Sequence, residues 1–316
     1  MEIFRSLEAV PPLPRDTALA IGNFDGLHLG HQKILRVLVR EARVRDLLSC
    51  VLTFSPHPEK IFGPEKISMI QTLEQRLDDL SLRGVEMTLV LPFTRALAEL
   101  PARDFVLKIL VKTLRARAIV VGSDFRFGKN RRGDIAVLEK YAARHGFLVR
   151  VVPPVKRKSG VVSSSRIREL LGLGRIEEAN ALLGAPYSIE GDVVGGETRG
   201  RRLGFPTANV ETPNEILPRG VFISLIEVEA ENYPSITNVG SRPTFQALPG
   251  LKHGAENPVR VETHILGFRR AIYGASVRIL FLKKIRDEQS FPNAEALAAR
   301  IARDRLVALA HFRARR

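Results

Sequence analysis

The feature that most narrows the possible folds is a rhythm. From Ala18 to about Val152 the short apolar runs ALAI, CVLTF, MTLVL, AIVVG and FLVRVV alternate with amphipathic stretches. Strands separated by helices in this way build βαβ units, so the pattern predicts an open, doubly wound parallel sheet. The helical stretches run from His31 to Leu47, from Thr72 to Arg83 with Gly84 to stop it, from Ala102 to Leu114 after Pro101, and from Ile135 to His145 before Gly146. Proline at the start and glycine just past the end are the expected punctuation.

Beyond Val152 the rhythm breaks. PPVKRKSG reads as a basic loop, and SSSRIRELL and RIEEANALLG as two short helices that end at Gly184. From Tyr187 the runs YSIEGDVV, GVFISLIEVEA, YPSITNVG, VRVETHIL and SVRILFL show partial period-2 alternation between turn-formers, which predicts a small antiparallel β-barrel. A final amphipathic helix, Asn293 to about Phe312, packs across it. At 316 residues the chain has room for two domains, and the change of texture sets them at 1–184 and 185–316.

Charge and cysteine usage limit the function classes. Lys and Arg total 49 against 34 Asp and Glu, a net charge of +15 that attracts polyanions such as nucleotides. A basic nucleic-acid-binding protein is the rival reading, but no nucleic-acid motif or aromatic-rich basic surface accompanies the charge. The lone Cys50 sits inside SCVLTF, as a small buried hydrophobe would, so no disulfide framework exists. The N-terminus lacks a basic segment followed by a long apolar core, and no window approaches the ~20 apolar residues that span a bilayer. A soluble cytoplasmic protein without a membrane partner is expected.

The first candidate site follows the first run of the sheet. In open parallel sheets, ligands bind beyond the carboxyl ends of the strands, where helix N-termini favour anions. The turn after ALAI is GNFDGLHLGH, in which Gly22, Gly26 and Gly30 let backbone approach a phosphate. His28 and His31 can donate to one phosphate group and stabilise charge on a departing pyrophosphate. A metal site on Asp25, His28 and His31 lacks a further ligand at metal spacing. In SSSRIR, Ser164 and Ser165 offer hydroxyls and N–H groups, and Arg168, one turn on, adds a cationic fork. In SDFRFGKNRRGD, Asp124 and the aromatics beginning at Phe125 follow a strand and suit a base, another flat ring or a ribose. His57, between the prolines of PHP, is given only a positional role.

The second is GDVVGGETRGRRLGFPTANV, Gly191 to Val210. Its glycines and arginines can wrap phosphates through backbone N–H groups without matching a P-loop. In FPTAN, Thr207 and Asn209 alternate onto one face of a strand and present two neutral oxygens suited to Mg²⁺ carrying ATP phosphates.

GNFDGLHLGH resembles the HxGH signature of the nucleotidyltransferase superfamily, and its NFDG form is similar to the flavin adenylyltransferase branch. TFSPHP (Thr53 to Pro58), VGSDFRFGKNRRGD (Val121 to Asp134) and VSSSRIRELL (Val162 to Leu171) follow in that family's order. GxxxGRxLGFPTAN is similar to the riboflavin kinase signature, with PRGVF (Pro218 to Phe222), NVGSRPTF (Asn238 to Phe245) and VETHILGFRRAIYG (Val261 to Gly274) as its other blocks. Together they resemble the bacterial bifunctional riboflavin kinase/FAD synthetase family.

The resemblance implies an HxGH-type α/β sheet followed by a riboflavin kinase barrel. It also implies ATP, riboflavin and FMN as small-molecule substrates, FMN and FAD as products, and Mg²⁺ at both sites. For adenylyl transfer it assigns Gly22, Asn23, Phe24, Asp25, Gly26, Asp124, Phe125, Ser164 and Ser165 to ATP and FMN binding, with His28, His31 and Arg168 catalytic. For the kinase it assigns Gly196, Gly200, Arg201, Gly204, Pro206, Thr207 and Asn209 to ATP and flavin, Thr207 and Asn209 to the metal, and Glu262 as general base. The chain departs from its relatives at Gly195, where a histidine is common nearby, at Gly267, commonly acidic, and over the longer segment Gln246 to Pro258. A single-activity FMN adenylyltransferase with a flavin-binding but inactive barrel would fit these departures.

Overall fold

The computed structural model describes residues 1–62, 67–157, 160–195, 205–241 and 259–314. The chain divides into two compact units, Met1–Ser164 and Ser165–Arg316. The division falls ahead of the change in sequence texture near Ala185.

The first unit is built on a parallel sheet of β1 (Glu2–Phe4), β2 (Thr17–Ile21), β3 (Leu48–Ser55), β4 (Met87–Pro92), β5 (Ala116–Gly122) and β6 (Leu148–Val152), in the order β1-β4-β3-β2-β5-β6. The crossovers are α1 (Leu29–Val44), α2 (Leu73–Leu82), a helical segment over Ala102–Thr113, and α3 (Ile135–His145). From β2 the chain winds outward through β3 and β4, then returns to lay β5 on the other side of β2. The direction of winding therefore reverses between β2 and β5, the place where an open sheet leaves a crevice at its carboxyl end.

Side-chain alternation explains why the strands read as unbroken apolar runs. On β2, Ala18 and Ala20 face Leu35, Leu38 and Ala42 of α1, while Leu19 and Ile21 join Val106, Ile109 and Leu110 on the opposite face. Alanines on the α1 side let that helix approach closely. Each fully buried Leu or Ile stabilises the unit by about 1.5–3 kcal/mol.

Helix ends follow local chemistry. Thr72 caps α2 through Gln75 N at 3.1 Å, and Gln75 returns a bond to Thr72 N at 2.9 Å, a capping box. The stretch read as one α-helix from Ala102 to Leu114 becomes a π-helix over Phe105–Thr113, closed by Leu114 N donating to Ile109 O at 2.9 Å. The wider turn sets Phe105, Val106, Ile109 and Leu110 into the core together. A ribbon of β7 (Lys156–Arg157) and β8 (Gly160–Val161) ends this unit.

The second unit carries α4 (Ser164–Gly172) from Ser165 onward, α5 (Ile176–Leu183), six barrel strands and α6 (Ala294–Arg313). The strands are β9 (Tyr187–Val194), β10 (Ala208–Glu211), β11 (Gly220–Val228), β12 (Glu231–Ser241), β13 (Val259–Ile265) and β14 (Ser276–Arg286). They close in the order β10-β13-β12-β11-β14-β9, and closure removes the free edges that invite aggregation. Inside, Phe222 and Tyr187 pack on Phe281 with centroids 5.3 and 6.0 Å apart. Outside, Val221, Ile223 and Ile236 meet Ala308 of α6. Asn180 of α5 fastens that helix to the barrel, donating to Phe281 O at 2.8 Å and accepting from Tyr187 N at 2.7 Å. Among the described residues no helix is long and apolar enough to cross a membrane.

Candidate functional site

A cavity of about 880 Å³ opens at the carboxyl ends of β2 and β5, within the usual range for small-molecule sites. Gly22, Asn23, Phe24, His28 and His31 line it from the β2 turn, Asp124 and Phe125 from the β5 turn, and Ser164 from the start of α4. These residues are far apart in sequence, and the reversal of winding brings them together.

The two imidazoles are fixed by the helix start they create. His28 is the N-cap of α1, and its Nδ1 accepts from His31 N at 3.3 Å. With Nδ1 occupied as an acceptor, Nε2 is the ring donor. The rings stack with centroids 3.7 Å apart and 16° between planes. A Cβ at Gly30 would lie 3.0 Å from His28 Cε1, so glycine between the histidines is what lets the rings meet. Burial, then the neighbouring His28 and Arg76, hold His31 well below the ordinary imidazole range, and its Nδ1 is buried without a hydrogen-bond partner. Burial and its neighbours thus hold His31 toward its neutral form, and the stacked pair faces a cavity at a helix N-terminus, where anions are favoured.

Two motif residues lie behind the cavity wall. The Asp25 carboxylate accepts from Ile70 N at 3.0 and 3.2 Å and from Gln71 N at 3.3 Å, and its carbonyl accepts from Ser164 Oγ at 2.9 Å. It fastens the turn to the segment before α2. Gly26 has φ +81°, and a Cβ there would lie 2.9 Å from Ile70 Cδ1. On the other side, the Asn23 side-chain amide meets His57 Nε2 at 2.8 Å, which ties PHP to the turn. Ser165 and Arg168 follow on α4, within the second unit.

In the barrel the candidate residues stand in a row. Asn209 of β10 pairs with Glu262 of β13, which pairs with Asn238 of β12. Directly opposed residues have Cβ atoms about 4.5–5.5 Å apart on one face of the sheet, so the carboxylate is flanked by two amides. All three are half-buried. Thr207, two residues before Asn209, stands just ahead of β10 and is half-buried. Sequence reading missed Asn238 as a site residue, because only the register places it beside Glu262.

The segment before β10 is held from β13. His264 Nδ1 donates to Pro206 O at 2.8 Å, and the Phe205 ring meets the imidazole edge-on at 5.7 Å. Burial lowers the His264 imidazole from its ordinary value, the Pro206 bond opposing and the Arg305 charge adding to that shift. Gly196, Gly200, Arg201 and Gly204, and the segment Gln246 to Pro258, lie outside the described residues. Gly267 sits in the turn after β13 with φ +72°, a conformation that favours glycine over an acidic residue. Gly195 has open space around its Cβ position. Among the described residues no three or more His, Cys, Asp or Glu cluster as a metal site.

A parallel sheet with paired histidines at its point of reversal, followed by a closed barrel with a carboxylate set between amides, defines a chain of nucleotidyltransferase type joined to one of riboflavin kinase type. The FAD synthetase family model matches residues 10–166, and the riboflavin kinase model matches residues 183–312. The chain belongs to the bifunctional riboflavin kinase/FMN adenylyltransferase family. It is 35% identical to the protein of that name from Escherichia coli K12, over 99% of this chain and 98% of the relative. The Bacillus subtilis protein of the same name is 34% identical, over 94% and 92%. A crystal structure from Streptococcus pneumoniae titled as a macrolide-efflux protein is 31% identical with a TM-score of 0.86, covering 97% of each chain.

Proposed function

We propose that this chain makes FAD from riboflavin in two ATP-dependent steps, one in each unit. In the barrel, Glu262 takes the proton of the riboflavin 5′-hydroxyl as its oxygen attacks the γ-phosphate of ATP, giving FMN and ADP. Positioning and charge neutralisation carry most of such a barrier, with modest help from a base. Thr207 and Asn209 fit Mg²⁺, which takes few protein oxygens and keeps water and phosphate as its other ligands. The metal would neutralise charge on the transferred phosphate. Gly196, Gly200, Arg201, Gly204 and Pro206 complete the ATP and flavin site by motif.

In the sheet unit, an FMN phosphate oxygen attacks the α-phosphate of a second ATP and pyrophosphate leaves. His28 and His31 donate to the departing phosphates, and Ser164 adds a donor beside them; Ser165 and Arg168 are assigned to the same step by the motif alone. Phe24, Asp124 and Phe125 suit the flavin, base or ribose. Gly22 and Asn23 bring backbone to the phosphates, while Asp25 and Gly26 shape the turn behind them. The observation that carries this half is the meeting of the paired imidazoles, the β5 turn and Ser164 around one cavity. Both steps are placed in the cytoplasm with small-molecule substrates only.

Chromatography after incubation with riboflavin, ATP and Mg²⁺ tests the reading. FMN and then FAD peaks are expected. An unchanged riboflavin peak, with FMN also left unconverted when supplied, would remove it.

A further inference from the structure

Behind the double-histidine turn sits a buried cation that the motifs leave unassigned. Arg76, near the start of α2, is 3% exposed. Its Nη1 donates to the Asn23 carbonyl at 2.6 Å and reaches Thr53 Oγ1 at 3.4 Å, while Thr53 donates to the same carbonyl at 3.1 Å. The Nε is buried with no hydrogen-bond partner. Burial lowers the guanidinium from its ordinary value, against the opposing charges of Asp25 and Glu74. A charge kept in such a place at a desolvation cost calls for a reason.

The segment it fastens supplies one. Phe24 and Leu27 have φ of +52° and +32°, values that side-chain-bearing residues keep only where the surroundings over-determine them. The Asn23 carbonyl belongs to the peptide plane that leads into Phe24, so pinning it fixes that backbone. Phe24 then packs on His31 with centroids 5.2 Å apart, and His31 stacks on His28. A mechanical chain runs from the guanidinium to the imidazole pair.

We propose that Arg76 is a positioning residue for adenylyl transfer: it locks the turn that presents the paired imidazoles and stands behind them as a fixed cation. This rests on the reading of the cavity given above. Around the pair, His28 comes from the same turn and Arg76 from α2, while His57, Glu59, Glu99, Asp124, Arg126 and Arg131 line the same cavity. With the cavity empty, Arg76 and His28 disfavour a proton on His31. An arriving triphosphate offsets those charges, so the pair takes up a proton where pyrophosphate charge develops.

The test uses the full chain with Arg76→Gln, which removes the charge, and Arg76→Lys, which keeps it. Three readouts are taken: FAD formation from FMN across pH, riboflavin phosphorylation, and the His31 titration by NMR without substrate. Arg76→Gln is expected to lower kcat/KM for FAD formation about ten- to hundredfold, the worth of a hydrogen bond with one charged partner. It should leave riboflavin phosphorylation unchanged and move the His31 titration to higher pH. Arg76→Lys should lose part of the rate with the titration unmoved.

An unaltered rate and titration in Arg76→Gln would overturn the proposal, as would equal rate losses in both variants with the wild-type titration. Should the Gln variant lose both activities, the Lys variant decides. A reduced FAD rate with an unmoved titration then supports the proposal, and an unaltered rate or a shifted titration overturns it. If the wild-type chain makes no FAD, the functional reading falls instead, and the His31 titration in the three proteins still decides for or against Arg76.

Discussion

In the sheet unit the candidate residues come from loops and helix starts beyond the strand ends, whereas in the barrel Asn209, Glu262 and Asn238 stand on the strands themselves. Loop residues are aimed by what fastens the loop. Arg76 and Ser164 bond the carbonyls of Asn23 and Asp25, and the Asp25 carboxylate ties the same turn to the amide of Ile70. Strand residues are aimed by register, which closure of the barrel fixes all the way round. The sheet site should therefore be sensitive to distant fasteners, and the barrel site to the identity of a few side chains.

The largest effect should come from the base of the barrel reaction. Glu262→Gln is expected to cut FMN formation from riboflavin about 10²–10⁴-fold while conversion of supplied FMN to FAD persists, measured by chromatography from each starting flavin. Equal loss of both would dissolve the comparison. Replacing His28 and His31 by alanine should halt conversion at FMN, with FAD formation down about 10²–10³-fold, the usual cost of losing donors to developing charge. Undiminished FAD production would remove the sheet site.

Acid should separate the units more gently. His31 is held well below its ordinary value of 6.5, and His264 is lowered from the same value. For a histidine with a lowered folded pKa the unfolded chain binds the proton first, so stability is full above about pH 6.5 and is lost as pH falls toward the folded value. Thermal unfolding from about pH 7.5 down to 5.5 should therefore weaken the sheet unit more than the barrel, and His31→Asn should flatten the loss. An acid loss unaffected by that change would place it elsewhere. Smallest of all are two helix caps. Thr72→Ala and Asn293→Ala should each cost about 1 kcal/mol, the first in the sheet unit and the second in the barrel, where Asn293 accepts from Ala296 N at 2.8 Å.

The same contrast governs what the sequence discloses. Strands β2 to β6 are legible because β2, for one, is buried on both faces and shows as an unbroken apolar run. The three residues of β1, paired with β4 through Glu2, Ile3 and Phe4, are too few for any period to show. The double histidine and its glycines are legible because the chemistry is local. Arg76 reads as one more polar position on a helix, and only the packing of α2 against the β2 turn sets its guanidinium on Asn23. Asn238 belongs to a recognisable block, yet its place beside Glu262 follows from a pairing between strands that sequence spacing does not disclose. Asp25, by contrast, reads as a ligand, while its carboxylate is engaged by the amides of Ile70 and Gln71.

The division of labour is tested most directly by mixing two half-active proteins. Riboflavin, ATP and Mg²⁺ are given to Glu262→Gln alone, to the His28→Ala, His31→Ala protein alone, and to both together, and the flavins are separated by chromatography. The account predicts residual riboflavin in the first, FMN in the second, and FAD only in the mixture. A mixture that stays blocked, or either protein alone yielding FAD at the wild-type rate, would contradict it.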